Sequence, residues 1–197
     1  MAGRVNVDIY TDASIVKGGR GAWACVVLRG DERHESAGAL RGNFPSSTAV
    51  EAAAMANALH FARINGLVEG GDLVTMRSDN RGAVGRINGA ARNAKCPTIG
   101  KAVGYVLDLA ERHGIALRAK WVRGHQRLDS ADPHAIHNIR CDHLCSAIRD
   151  GRKPAGYNAL VEQVAGRQRR RERKEQHEAM IGEQESRRLR QAREVGA

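Results

Sequence analysis

The chain has 197 residues, 42% of them hydrophobic and 4% aromatic, with a formal charge of +10 at pH 7 and a pI near 10.1. This length allows one domain of ordinary size plus an appendage, and the basic balance points to a polyanionic partner, nucleic acid before membrane surface. No apolar run approaches the roughly 18 residues of a membrane span, the start Met1-Ala2-Gly3-Arg4 lacks the apolar core of a signal peptide, and Cys25, Cys96, Cys141 and Cys145 form no secreted disulfide framework, so a reducing cytoplasm is the expected compartment.

The first pattern along the chain is Val5 to Ser14. Val5, Val7 and Ile9 alternate with Asn6, Asp8 and Tyr10, the period of a strand with one buried face. The run closes on Thr11-Asp12-Ala13-Ser14, small residues suited to a turn. Asp12 would then stand at the carboxyl end of a strand, where open α/β sheets place their ligands. Alone, such an aspartate reads as a turn residue bonding its own backbone. Only other carboxylates converging on it reverse that reading.

Gly18-Gly19-x-Gly21 reads as a hairpin connection, because no helix and no Gly-Lys-Ser/Thr follow it. Ala22–Leu28 and Arg33–Leu40 continue an antiparallel meander. Thr48 to Ile64 switches to a helical period. Glu51, Met55, Ala58 and Ala62 share one stripe of it, and three of the four are apolar. A carboxylate on the sheet-facing stripe is costly unless capped, paired or bound to metal. Thr48 and Glu51 have the spacing of a capping box, so a cap and a metal ligand both remain open for Glu51.

Leu73–Ser78 is a further strand, followed by Asp79 and a helix starting at Asn80 or Arg81. Asp79 reads structurally as the helix N-cap, and functionally as a second aspartate at a strand's carboxyl end. A right-handed crossover between parallel strands would bring it to Asp12. Arg86 to Lys101 reads as a basic loop carrying Arg92, Lys95 and Lys101, either a phosphate-contacting rim or solvated surface. Thr98–His113 is a helix with Ala102, Val106, Leu109 and Ala110 on its apolar side. Ala116–Val122 is the fifth strand, closed by Gly124-His125-Gln126.

His137–Asp150 is the last helix of the domain, with Cys141, Leu144, Cys145 and Ile148 on its buried stripe and Asp142 at the stripe's edge. His134, His137, Cys141 and Cys145 have the residue types of a zinc site. Their spacing matches no usual finger, and the thiols serve better as small core residues. From Arg152 the composition shifts to Arg, Glu and Gln: 12 basic and 7 acidic residues, with no heptad of apolar positions. A charged helix or disorder is expected there, with residues 1–151 as the domain and 152–197 as a basic extension.

The element order and the motifs Tyr10-Thr11-Asp12-x-Ser14, Ser46-x-x-x-x-Glu51, Ser78-Asp79, Trp121-Val122-x-Gly124-His125 and Asn138-x-x-Cys141-Asp142 together resemble the type 1 ribonuclease H family over about Val5 to Asp150. The resemblance implies an α/β ribonuclease H-like fold, with a mixed five-stranded sheet flanked by helices. It implies an endonuclease that cuts the RNA strand of RNA–DNA hybrids, leaving 5′-phosphate and 3′-hydroxyl ends. Asp12, Glu51, Asp79 and Asp142 would be metal ligands, and His125 a mobile histidine assisting proton transfer or product release. Oxygen-only ligands suit Mg²⁺, with Mn²⁺ as a substitute, and two such ions make the attacking water more acidic and stabilise the leaving oxygen.

Contacts to the 2′-hydroxyls are expected around Ala13, Ser14, Ser47, Thr48, Asn80 and Arg81, with salt-sensitive, nonspecific affinity from the basic loop and tail. A monomer is expected. The departures from the family fall on these contact positions: Ala13 where glycine is frequent, Ser47 and Thr48 for asparagines, Arg81 near a usual glutamine. The tryptophan-rich basic handle of some members is missing, and the segment Gln126–His137 is longer than usual. The alternatives are a binding module that keeps the fold without cutting, and a nuclease of the same superfamily with another substrate.

Overall fold

The computed structural model describes residues 4–16, 21–90, 96–127 and 130–195. Five strands, β1 (Asn6–Ile15), β2 (Gly21–Arg29), β3 (Glu32–Leu40), β4 (Leu73–Ser78) and β5 (Ala116–Trp121), form one sheet in the order β3-β2-β1-β4-β5. β1, β2 and β3 pair antiparallel, while β4 and β5 run parallel to β1. The helices are α1 (Ser47–Ile64), α2 (Arg81–Ile87), α3 (Pro97–Arg112), α4 (Ala135–Arg149) and α5 (Tyr157–Val195). The chain divides into two compact units between Pro154 and Ala155; the first holds the sheet and α1–α4, the second holds α5. No described helix is long and apolar enough to cross a membrane.

The two-residue period of β1 sorts its side chains onto two cores. Val7 and Ile9 join Cys25 and Val27 of β2 and Met55, Ala58, Leu59 and Ala62 of α1. Tyr10, from the opposite face, joins Ala22, Ala24 and Val26 and meets Cys141, Leu144 and Cys145 of α4. Each large side chain fully buried here contributes roughly 1.5–3 kcal/mol. Small residues let α4 lie close on the sheet. The Cys141 and Cys145 thiols, 3.5 and 3.0 Å from the carbonyl oxygens of Tyr10 and Asp12, donate to the β1 backbone. All four cysteines are free.

Several local expectations are corrected. β1 does not turn at Thr11; it runs on to Ile15, paired residue by residue with β2. Its ladder with β4, however, ends at Tyr10 opposite Arg77. Past that point the two parallel strands diverge, and the Thr11 hydroxyl bridges to the Arg77 carbonyl at 3.3 Å. Ser46 caps α1 by accepting from the Ala49 N–H, so Thr48 and Glu51 form no capping box. Asn80, not Asp79, caps α2 through the Ala83 N–H. The stretch expected as a loop from Arg86 to Lys101 contains the end of α2 and the start of α3, and its Arg92 and Lys95 lie outside the described residues, as does the Gly18-Gly19 connection. The extension expected as charged helix or disorder is helical from Tyr157 to Val195.

Two polar devices hold the sheet's periphery. The Asn88 amide donates to the Ala119 carbonyl at 2.8 Å and accepts from the Ala119 N–H at 2.9 Å, occupying backbone groups on the outer strand β5. At the amino end of β4, buried Asp72 accepts from the Val5 and Glu69 N–H groups and from the Arg29 guanidinium at 2.6 Å. Burial alone would raise the Asp72 carboxyl. The Glu69 N–H and Arg29 outweigh it and hold the group below the usual carboxylate range.

Asp72 stabilises the fold where it is ionised, and that contribution is lost as pH falls through its lowered pKa. Replacing Asp72 by Ala leaves the Arg29 charge and two N–H groups without their acceptor, and is expected to cost about 3 kcal/mol, read from urea unfolding at pH 7; a loss near zero would show that solvent replaces the carboxylate.

Candidate metal centre

The divergence of β1 and β4 opens a gap at their carboxyl ends, and three carboxylates fill it. Asp12 projects from β1 beyond the last β4 pairing, Asp79 follows β4 directly, and Glu51 reaches in from the first turns of α1. One oxygen from each lies within 4.8 Å of the others. Asp12 and Glu51 are buried and Asp79 is half-buried. Pairing with β2 through Asp12, and with β4 up to Tyr10, fixes the backbone, so the convergence follows from topology rather than from local sequence.

The gap's backbone supplies few compensating donors. The Ala13 N–H lies 2.9 Å from Asp12 Oδ1 and 3.2 Å from Glu51 Oε1. The Ser78 hydroxyl donates to Glu51 Oε2 at 3.2 Å and accepts from the Asn80 N–H at 3.1 Å. Burial, followed by the charges of Asp79 and Asp142, pushes Asp12 up to about 7, against the Ala13 N–H and a hydrogen bond with Glu51 that pull it down. Burial and then the Asp12 and Asp79 charges push Glu51 well above the ordinary glutamate range. Asp79 is raised by burial first, with the His125 charge opposing and the Asp142 charge adding.

This donor set fits a divalent cation. The ligands are hard oxygens with no sulfur or imidazole in the tight group, the preference of Mg²⁺ or Mn²⁺ rather than zinc. The raised proton affinities measure a demand for positive charge that the backbone does not meet. Among the described residues, the group of metal-ligating side chains with this spacing is the acidic one; Cys141 and Cys145 are spent in the core, and His134 is bonded to Tyr10.

The other expected site residues lie around the triad. Asp142, exposed on α4, stands outside the tight triad, although its charge is felt by Asp12 and Asp79. His125 is exposed after β5 with φ 48°, the left-handed region. Gly124 beside it abuts the Asp79 carboxylate so closely that a Cβ at 124 would collide with it. Thr48 donates to the Asn80 side-chain oxygen, which also caps α2. Arg81 lies with its guanidinium 4.3 Å over the exposed Trp121 ring, whose Nε1 donates to the Asp79 carbonyl. Ser47 is exposed at the start of α1, while the Ser14 hydroxyl is taken by Arg149 at 2.6 Å.

Sequence reasoning missed Thr11, which bridges the diverging strands, and Gly124, whose lack of a side chain Asp79 requires. It also missed the chain of hydrogen bonds from Gln126 through Asp132 and His134 to Tyr10. The Asp132-Pro133-His134 turn was a local signal for the Asp132–His134 link alone.

The sheet order and the helices packed on it have the ribonuclease H-like fold. The N-terminal ribonuclease H domain of a Mycobacterium tuberculosis protein, solved as a fusion with maltose-binding protein, is 20% identical with a TM-score of 0.57, over 75% of this chain and 95% of that one. Ribonuclease H1 from the halophilic archaeon Halobacterium salinarum is 18% identical with a TM-score of 0.58, over 74% and 98%. LC11 ribonuclease H1, solved in complex with an RNA/DNA hybrid, is 19% identical with a TM-score of 0.58, over 74% and 97%. No family model and no curated protein matches the sequence. In particular, the fold of this chain is the type 1 ribonuclease H fold.

The electrostatics predict a metal-dependent stability. Because the fold raises the Asp12 pKa, its contribution is fully present below about pH 4 and is lost as pH rises through about 7. His137, which burial pushes down to about 4, acts in the opposite direction over part of the same range, so the reading is the Mg²⁺ effect rather than the bare pH profile. At roughly a hundredfold its dissociation constant, Mg²⁺ is expected to raise the unfolding midpoint by about 5–10 °C at pH 8. The rise should be smaller at pH 5, where protons compete, and absent in an Asp12→Asn, Glu51→Gln double variant. A midpoint indifferent to Mg²⁺ at pH 8 would contradict the cation fit.

Proposed function

We propose that this chain is a metal-dependent endoribonuclease that hydrolyses the RNA strand of RNA–DNA hybrids. The observation that carries the reading is the convergence of Asp12, Glu51 and Asp79 within 4.8 Å at the carboxyl ends of β1 and β4, inside a fold shared with ribonuclease H structures. In this reading Asp12, Glu51, Asp79 and Asp142 would together hold the cations. Bound divalent cations supply the acidity that the attacking water and the departing 3′ oxygen need. Water adds to phosphorus, the bond to the 3′ oxygen breaks, and that oxygen takes a proton, leaving a 3′-hydroxyl and a 5′-phosphate.

The protein's own side chains divide the remaining work. His125, exposed beside Asp79, accepts or returns a proton at the edge of the gap, or helps the product leave. Ala13, whose N–H meets two of the carboxylates, and Ser47, Thr48 and Asn80 are the positions where contacts to the cut strand's 2′-hydroxyls would lie. The Arg81–Trp121 pair offers a cation and a flat ring to the sugar–phosphate chain. The Ser14 hydroxyl accepts from Arg149, which leaves its backbone for the hybrid. The LC11 enzyme's complex with an RNA/DNA hybrid supports this choice of substrate. A set of clustered acids would weaken a module that only bound polyanions, which favours the cleaving reading over the binding one.

Incubating the protein with labelled RNA–DNA hybrid, duplex RNA and duplex DNA under one buffer condition tests the reading. Mg²⁺-dependent cleavage is expected in the RNA strand of the hybrid alone, and Asp12→Asn is expected to reduce it by at least about a thousandfold, the scale of losing a group that stabilises transition-state charge, with the fold intact by circular dichroism. A folded wild-type protein that leaves the hybrid whole would sink the proposal.

The α5 extension is proposed as a nonspecific handle. Its exposed Arg169, Arg170 and Arg173 would contact phosphates, while Arg171 and Lys174 pair with Glu175 and Glu178 one turn on. Truncation after Pro154 should weaken hybrid binding and flatten its salt dependence, since every phosphate that is no longer neutralised reduces the logarithmic salt slope by about 0.9. Turnover at saturating substrate should persist, and an unchanged salt slope would assign α5 no role at the phosphates.

A further inference from the structure

The segment between β5 and α4 carries a connected set of hydrogen bonds that the proposed chemistry does not use. Gln126 folds back so that its Nε2 donates to the Arg123 carbonyl at 3.0 Å and to Asp132 Oδ2 at 2.8 Å. Its Oε1 accepts from the Ser130 hydroxyl at 2.6 Å, and that hydroxyl accepts from the Asp132 N–H. Asp132 Oδ1 takes the His134 N–H at 2.9 Å, and His134 Nδ1 meets the Tyr10 hydroxyl at 2.7 Å. Tyr10 is the last β1 residue paired with β4, two positions before Asp12.

Gly124 and His125 sit inside the closed turn that Gln126 makes with Arg123. His125 is the one non-glycine residue with positive φ among the described residues. A backbone of that kind costs on the order of 1 kcal/mol and persists only where its surroundings over-determine it. Here the surroundings are the Gln126 side chain, anchored through Asp132 and His134 to the strand that carries Asp12. The Asp132 carboxylate is held ionised by the Gln126 amide and then the His134 N–H. The Tyr10 hydroxyl keeps its proton, because burial outweighs the neighbouring Arg77.

We infer that Gln126 and Asp132 are positioning residues that tie the His125 turn to β1 and so fix where the imidazole stands relative to Asp79. This rests on the ribonuclease reading above and adds to it the means by which one exposed, backbone-strained histidine is held at the edge of the carboxylate gap. The tie spans 124 residues of sequence from Tyr10 to His134, and its two ends belong to elements that the metal ligands also use.

The test is a double-mutant cycle on full-length protein with hybrid substrate and Mg²⁺. Asp132→Ala and Gln126→Ala are each expected to lower kcat about tenfold or more with KM within about twofold, the signature of a misplaced proton-transfer group rather than lost binding. In a His125→Ala background, adding either change should alter kcat by less than about twofold, because a residue that acts through His125 has nothing left to position. The Mg²⁺-induced rise in unfolding midpoint should stay as in wild type, which separates positioning from damage to the carboxylates.

Unchanged kcat in both single variants overturns the inference. So does an effect that multiplies fully with His125→Ala. If Asp132→Ala fails to fold, Gln126→Ala, which removes no charge, carries the cycle by itself. A wild-type protein that does not cleave the hybrid removes the underlying reading and the inference with it, and that failure is seen before any variant is made.

Discussion

Everything at the carboxylate end of this molecule depends on mutual repulsion held in check. Asp12, Glu51 and Asp79 place oxygens within 4.8 Å of one another in a largely buried gap, where like charges interact far more strongly than in water. One Ala13 N–H serves two of these carboxylates and one Ser78 hydroxyl serves Glu51. That is too little to offset burial and then the neighbouring charges, so the proton affinities rise. The fold tolerates this because β1 is locked to β2 from Val7 to Ile15 while its partnership with β4 stops at Tyr10. Rigid pairing on one side and an open seam on the other is what creates the gap without letting it collapse.

The two faces of β1 share out the tasks. Val7 and Ile9 anchor the strand to α1, which delivers Glu51 to the seam. Tyr10 and Asp12 face the α4 side, where Cys141 and Cys145 bond to the β1 carbonyls and hold the helix close. That closeness brings the Asp142 charge within reach of Asp12 and Asp79. Arg140, buried on the same helix, forks onto both carboxylate oxygens of Glu35 at 2.9 and 2.8 Å and so joins α4 to β3. A charged pair with two matched hydrogen bonds constrains orientation more tightly than apolar contact does. α4 is thereby fixed at β1 and at β3.

Much of this was legible in the residues. Alternation in Val5–Tyr10 and the apolar stripe through Glu51, Met55, Ala58 and Ala62 both reflect burial, and burial has a short-range period. The parallel pairing that brings Asp79 to Asp12 followed from a strand–helix–strand crossover. What failed was the choice between neighbouring polar residues. Thr11-Asp12-Ala13-Ser14 reads as a turn because small polar residues suit turns, yet ladder bonds with β2 carry the strand on to Ile15. Ser46 and Asn80 are the caps rather than Thr48 with Glu51 or Asp79, since cap geometry is decided by where the backbone leaves the strand or loop. The Tyr10–His134 bond had no local signal, because its partners are far apart in the chain and meet only through the packing of α4.

The Asn88 amide against Ala119 has a bearing beyond the domain itself. An outermost strand with free N–H and C=O groups is a template on which a second molecule can add its own strand. By occupying Ala119 from within, Asn88 acts as a one-residue sixth strand and interrupts the row that a foreign backbone would need. Addition of a second copy's strand at the β5 edge is therefore interrupted at its middle.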